Sequence, residues 1–156
     1  MSLVIRTLAM GVLMTETPKV PKHLWIIGIV ALLWNLMGAY DYLMTQTKNE
    51  AYMSKFTPEQ LEFFYGFPAL VVSAWAIAVW GGLLGTVLLL LRKGMAVWIL
   101  LASFLCVVVT TIHNFIIADG VKVMGSTGMI LTILIFVIAL GLFLYARAMK
   151  SRGVLV

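Results

Sequence analysis

Four long apolar runs dominate the sequence, and none of them carries a charged residue at its centre. They cover residues 24–44, 68–91, 95–118 and 128–149. Runs of about 21–24 residues make helices of roughly 32–36 Å, enough to cross a hydrocarbon core of about 30 Å. In lipid only helices and closed barrels satisfy their backbone groups, and these runs lack the alternation of barrel strands. The sequence therefore predicts four transmembrane helices.

The composition indicates that lipid surrounds these helices. Hydrophobic residues make up 63% of the 156 residues and charged residues 11%, against about 45–50% and about 25% in a soluble domain. The net charge of +5 does not indicate nucleic-acid binding, because the basic residues flank the apolar runs and share no polar face. We expect an all-α membrane protein, an up-down bundle of four helices with the lipid bilayer as its first partner.

The connections predict how the spans are joined. The Arg-Lys-Gly turn at 92–94 is so short that the second and third spans must form an antiparallel hairpin. Residues 119–127 include glycine and serine and are expected to form a short loop. The transmembrane domain then covers residues 22–150, with a cytoplasmic or interfacial segment at 1–21 before it and a tail at 151–156 after it.

The segment before the first span, residues 1–21, is apolar as far as Met14 but too short to cross a membrane. It has no basic residue before its apolar stretch and no clear cleavage site, so it makes a poor signal peptide. Arg6 is expected to anchor it as an interfacial helix. Met10 and Met14 are alternative start codons.

The long connection between the first two spans carries a helix signal. Thr57 is the expected N-cap, Pro58 occupies the first helical position, and Gln60 completes a capping box. A short helix through Phe64 should follow. Aromatic residues crowd this region: Tyr40, Tyr42, Tyr52, Phe56, Phe63, Phe64, Tyr65 and Phe67. They form either a belt at the membrane interface, with the short helix lying on the headgroups, or an aromatic-walled pocket over the bundle.

Basic residues predict the orientation of the bundle. Both termini and the 92–94 turn share one side, which holds eight lysines and arginines, whereas the other side holds three. The eight are Arg6, Lys19, Lys22, Arg92, Lys93, Arg147, Lys150 and Arg152, and the three are Lys48, Lys55 and Lys122. Because cytoplasmic loops are enriched in Lys and Arg, both termini are expected to be cytoplasmic.

Polar residues inside the first span need a structural or functional reason. Asn35, Gly38 and Tyr42 follow helical spacing along one stripe, and Trp34 and Asp41 lie on an adjacent stripe. A buried amide in a span needs a hydrogen-bond partner on a neighbouring helix. Asn35 is therefore either an interhelical clamp or a ligand-facing group.

The third span carries a second polar stripe. Cys106, Thr110, His113 and Asn114 recur at helical spacing, so they are expected to face the bundle. If the first and third helices pack together, Asp41 and His113 lie at similar depth and form a proton-linked pair. The candidate ligand or polar cluster comprises Trp34, Asn35, Asp41, Tyr42, Thr110, His113 and Asn114.

Small residues form a stripe in the second span. Ala74, Ala78, Gly81 and Gly85 share one face and include a Gly-x-x-x-Gly motif. Such stripes let helix backbones approach closely. The stripe predicts close packing, either within the bundle or between protomers of a homo-oligomer.

Several kinds of chemistry are disfavoured. A haem needs two axial ligands at similar depth, whereas His23 and His113 are expected at opposite membrane faces. The sequence has no His-Glu zinc cluster, no Ser/His/Asp arrangement and no phosphate-binding glycine loop. The lone Cys106 makes no internal disulfide. We therefore expect no enzyme, no metal and no cofactor.

A resemblance to a known family is carried by three segments: LWNLMGAYDY at 33–42, TQTKNEAY at 45–52 and FTPEQ at 56–60. They are similar to a family of small, uncharacterised four-helix membrane proteins of proteobacteria, some of which are labelled "sugar transporter". The resemblance begins near Met14, continues through Val79-Trp80-Gly81 and covers about half the chain. It implies a multi-pass protein of the bacterial inner membrane.

Two functions remain open. The first is an accessory or assembly protein that binds a larger membrane partner, favoured because no complete catalytic set is present. The alternative is a subunit of a small-solute transporter, with sugars among its candidate substrates, which acts as an oligomer because four helices seldom enclose a pathway alone. In the alternative the site would be lined by Trp34, Asn35, Asp41, Tyr42 and His113.

Overall fold

A computed structural model describes residues 20–156, and the predictions for residues 1–19 lie outside that range. The helices are α1 Lys22–Gln46, α2 Glu50–Met53, α3 Pro58–Tyr65, α4 Ala69–Leu90, α5 Ala96–Ile112 and α6 Gly120–Ser151, and a π-helical turn, His113–Ile117, extends α5. No strand occurs between residues 20 and 156. Four helices are long and apolar enough to span a membrane: α1, α4, extended α5, and α6. The predicted all-α, four-helix, multi-pass membrane protein is confirmed.

The four spans pack in the order of the sequence. α1 packs against α4, α4 packs against α5, and α5 packs against α6. α4 is the most enclosed span and α6 the least, with 33% and 11% of their 18-residue apolar stretches buried. We call the end of the bundle with Lys22, the 92–94 turn and residues 151–156 the terminal face. The opposite end, with α2, α3 and residues 118–120, is the loop face.

The main apolar core lies towards the terminal face, where all four spans meet. Its members are Leu24, Ala31, Leu89, Ala96, Val97, Leu100, Leu142, Ala146, Met149, Val154 and Leu155. Residues 151–156 contribute two of these side chains. The tail turns back through a Schellman motif with Gly153 at φ 69°, in which Val154 N donates to Met149 O at 3.0 Å. Val156 then exchanges two backbone hydrogen bonds with the 92–94 turn, at 2.7 and 2.8 Å.

The small-residue stripe of α4 packs against α5 inside the bundle. Ala74, Ala78 and Gly85 are buried, and Gly81 is half-buried. A Cβ on Gly85 would lie 2.7 Å from Leu100 Cγ, so only glycine lets the Leu100 side chain of α5 pack on the α4 backbone here. The stripe therefore serves packing between α4 and α5.

The loop predicted at 119–127 is wrong, because α6 begins at Gly120. The chain reverses at Asp119, which takes a left-handed conformation with φ 50°. Gly120 packs so tightly that a Cβ would lie 2.6 Å from the backbone oxygen of Asn114. The glycine-rich composition instead marks a break at Gly125, whose φ of 65° and ψ of −166° fall in a region that is essentially glycine-only.

The capping box in the long connection is confirmed. The Thr57 side chain accepts from Gln60 N, and the Gln60 side chain accepts from Thr57 N, with Pro58 at the start of α3. The preceding helix α2 was not predicted. Its N-cap is Asn49, whose side chain accepts from Tyr52 N at 3.0 Å. An asparagine followed by an acidic residue was the available sequence signal.

Candidate functional site

Asn35 ties the first two spans together. Its Nδ2 donates to Ala31 O at 2.8 Å and to Thr86 Oγ1 of α4 at 3.2 Å. Thr86 in turn donates to Gly82 O at 2.8 Å. The amide of Asn35 is thus engaged between helices, as the clamp interpretation expects.

A second polar contact ties α5 to α4. Ser103 is buried, and its Oγ donates to Ala78 O at 2.6 Å. Neither Ser103 nor Thr86 was among the predicted site residues. Their sequence signal is a hydroxyl inside an apolar run, which in lipid needs an internal acceptor. Both bonds end on α4, so α4 is the helix on which its two neighbours are positioned.

The structure does not bring Asp41 and His113 together. Asp41 accepts a hydrogen bond from the Tyr52 hydroxyl at 2.6 Å, and His113 packs edge-on against Phe67 with ring centroids 5.4 Å apart. Within residues 20–156 the only ion pair joins Lys122 to Asp119. Burial, followed by the Asp41 carboxylate, raises the pKa of Tyr52 to about 12. The phenol is therefore protonated near neutral pH and can donate to Asp41.

The remaining predicted residues are dispersed. Thr110 donates within its own helix to Val107 O at 3.0 Å, and Asn114 Oδ1 lies 3.5 Å from Nδ1 of the adjacent His113. Tyr42 packs edge-on against Trp75 at 5.1 Å. Trp34 is half-buried. The predicted polar cluster is thus divided between the bundle interior, the aromatic residues of the loop face, and the π-helical turn.

Aromatic side chains form one continuous network at the loop face. Its members contact one another mostly edge-to-face, with ring centroids 5.1–6.5 Å apart. We call this network the aromatic cluster: Tyr40, Tyr42, Tyr52, Phe56, Phe63, Phe64, Phe67, Trp75, Trp80 and His113. Edge-to-face pairs are worth about 0.5–1.5 kcal/mol beyond their buried area. The cluster therefore holds α2 and α3 against the ends of α1, α4 and α5.

Beside the aromatic cluster lies an open cleft of about 390 Å³. We call it the acidic cleft, and it is lined by Glu59, Glu62, Phe63, Gly66, Phe67, Pro68, His113, Ala118 and Val123. Its carboxylates come from α3 and its apolar wall from the aromatic cluster and α6. Gln60 holds α3 to α6 by donating to Val123 O at 3.4 Å.

At the loop face the lysines contact an aromatic ring or a carboxylate, whereas the two glutamates of the acidic cleft have no ion-pair partner among the described residues. Lys48 lies 4.6 Å from the ring centroid of Tyr65, and Lys55 lies 5.0 Å from that of Tyr52. Lys122 pairs with Asp119. Glu59 and Glu62 make no ion pair with any residue between 20 and 156. The acidic cleft thus combines an apolar wall with negative charge, which suits a basic and apolar ligand group.

No three side chains among His, Cys, Asp and Glu come close enough to hold a metal ion in the described part of the chain. Comparison with family models, with curated proteins and with solved structures finds no match. The geometry of the bundle and its two faces therefore carries the functional proposal.

Proposed function

We propose that this protein is an accessory or assembly subunit of the bacterial inner membrane that binds a larger membrane partner through its loop face. The observation that carries the proposal is the acidic cleft, where Glu59 and Glu62 stand beside the apolar wall of Phe63 and Phe67 without an ion pair in the described chain. A lysine or arginine flanked by an apolar side chain matches that surface. Such a segment would come from the partner.

Contacts with neighbouring elements hold the walls of the acidic cleft in place. The capping box fixes the start of α3, the Gln60–Val123 hydrogen bond ties it to α6, and the aromatic cluster holds its apolar side. A preorganised surface loses less conformational entropy on binding than a mobile loop does. This favours a docking role for the loop face.

The transporter alternative receives less support. It needs polar groups that line a path near the middle of the bundle, whereas Asn35, Thr86 and Ser103 make hydrogen bonds between neighbouring helices. Gly82 lies against Asn35 of α1 and Gly85 against Leu100 of α5, so both neighbouring helices pack directly on α4. An oligomer that transports solutes would have to build its path between protomers.

Site-specific photo-crosslinking in native membranes tests the partner. A photoreactive residue in place of Val123, which lines the acidic cleft, should give one adduct of defined mass. The same residue in place of Ile130, an exposed apolar position of the same helix, is the control for random membrane contacts. Charge reversal by Glu59→Lys with Glu62→Lys should reduce the adduct at least tenfold, since exposed charge pairs that become desolvated at an interface cost more than about 1.4 kcal/mol to reverse.

The matched control for charge is Glu50→Lys, an exposed carboxylate of the same face outside the acidic cleft. It should leave the adduct intact. Two results would contradict the proposal: an equal yield of adduct from positions 123 and 130, or a yield that does not change when Glu59 and Glu62 are replaced by lysine.

We also propose that both termini lie in the cytoplasm, because six lysines and arginines of the described chain lie at the terminal face and three at the loop face. Two exposed serines report on it, Ser54 at the loop face and Ser151 at the terminal face. In a Cys106→Ser background, an impermeant maleimide added to spheroplasts should label Ser54→Cys at once and Ser151→Cys only after permeabilisation. The reverse pattern would show that the bundle is inverted.

A further inference from the structure

The terminal face holds a second cleft, between the turn after α4 and the end of α6. It measures about 600 Å³ and is lined by Leu88, Lys93, Gly94, Met95, Lys150, Leu155 and Val156. We call it the basic cleft. Its wall is apolar except for the two lysines, so it combines a hydrophobic surface with two ammonium groups.

Backbone hydrogen bonds hold the walls of the basic cleft in position. The returning tail forms one wall, held by the paired backbone hydrogen bonds between Val156 and the 92–94 turn. Lys150 lies along Gly94, where a Cβ would be 3.4 Å from Lys150 Cε. Its Nζ also lies 5.8 Å from the ring centroid of Trp98.

The basic cleft lies at the ends of the spans, where lipid headgroups are expected. Trp98, two residues into α5, is 65% exposed, as expected of a tryptophan at a membrane interface. Met95 and Val156, which line the cleft, are 65% and 77% exposed. The cleft therefore opens towards the region where acyl chains meet headgroups.

The charged side chains described at the terminal face are all of one sign. Its described residues include six lysines and arginines and no aspartate or glutamate side chain. The six are Lys22, Arg92, Lys93, Arg147, Lys150 and Arg152. A ligand for the basic cleft must combine a negative group with an apolar chain, and in a membrane the abundant molecule with both is an anionic phospholipid.

We propose that the basic cleft binds an anionic phospholipid, with its phosphate at Lys93 and Lys150 and an acyl chain along Leu88, Met95 and Leu155. The apolar wall selects a lipid over free phosphate, and the two lysines select an anionic over a zwitterionic headgroup. The site is independent of the partner proposed for the loop face. It would also stabilise the terminal face by bridging the 92–94 turn and the end of α6.

Lipid titration of the purified full chain in a neutral detergent tests this site. Phosphatidylglycerol should raise the thermal midpoint saturably and appear as one bound lipid in native mass spectrometry. Phosphatidylcholine and glycerol 3-phosphate should do neither at the same concentration. Equal effects from phosphatidylcholine would contradict selection of an anionic headgroup by the lysines. Equal effects from glycerol 3-phosphate would contradict the requirement for an acyl chain.

Paired variants localise the site. Lys93→Gln with Lys150→Gln should weaken phosphatidylglycerol binding roughly 30-fold, since each lysine near an anionic surface contributes about fivefold. Lys22→Gln with Arg147→Gln removes the same charge from exposed positions outside the basic cleft and should change binding less than about threefold. An equal loss in both pairs would mean diffuse attraction and would overturn the site. Thermal midpoints without lipid verify that each variant is folded.

Discussion

Gly82→Ala is expected to lower the free energy of unfolding by about 1–3 kcal/mol, the usual cost of overpacking. A Cβ at this position would collide with Asn35 Oδ1 on the α1 side and would lie 3.4 Å from Ser103 Oγ on the α5 side. Relief requires Asn35 to move, which breaks its hydrogen bond to Thr86. Reversible unfolding in mixed micelles, followed by circular dichroism, measures the effect.

Gly38→Ala is the matched control for Gly82→Ala. Gly38 lies in α1, and no heavy atom stands within 4 Å of the position that its Cβ would take, so alanine should be neutral or slightly stabilising through its helix propensity. A double-mutant cycle identifies the cause: in an Asn35→Ala background the cost of Gly82→Ala should fall to less than half. A cost that is unchanged in that background would show that Asn35 is not the obstacle.

Gly120→Ala is expected to destabilise the loop face by about 3 kcal/mol, at the upper end of overpacking costs. Its Cβ would lie 2.6 Å from the backbone oxygen of Asn114 and 3.2 Å from Phe63 Cζ. Because the first contact is with backbone, no rotamer change relieves it, and the π-helical turn or the start of α6 must shift. The unfolding free energy should fall, and crosslinking from position 123 should weaken as the acidic cleft is distorted.

Gly141→Ala is the control for Gly120→Ala within the same helix. Gly141 has no heavy atom within 4 Å of where a Cβ would stand, so this change tests alanine in α6 without a steric contact. It should leave both the unfolding free energy and the crosslink nearly unchanged. Equal behaviour of the two variants would contradict the close contact between Gly120 and Asn114.

The sequence was most informative where the physical cause is local. Run length and the absence of central charges predicted four spans, and α4 begins and ends within one residue of its predicted bounds, 68–91. The capping box of α3 was readable because Thr57, Pro58 and Gln60 act on the same helical turn. Local signals failed at 119–127, where composition suggested a loop. Tight packing of Gly120 allows the helix to begin there, and only Gly125 interrupts it.

The candidate site was less predictable because helical spacing shows which residues share a stripe and not what that stripe meets. The sequence indicated that Asn35 needs a hydrogen-bond partner. That this partner is Thr86 depends on the rotation of α1 against α4. The expected pairing of Asp41 with His113 required α1 beside α5, whereas α4 lies between them in the packing order. The acidic cleft and the basic cleft each join residues from distant parts of the sequence.

By itself the sequence determined the number of membrane spans, their approximate limits and the helix α3, since apolar length and capping act within one segment. Only the tertiary structure decided that α4 is central, that Tyr52 and not His113 binds Asp41, and that the tail closes against the 92–94 turn. The helix neighbours are not set by apolar surface alone, because lipid solvates every apolar helix face about equally well. Close backbone approach and a few hydrogen bonds therefore choose the neighbours, and both depend on residues far apart in the chain.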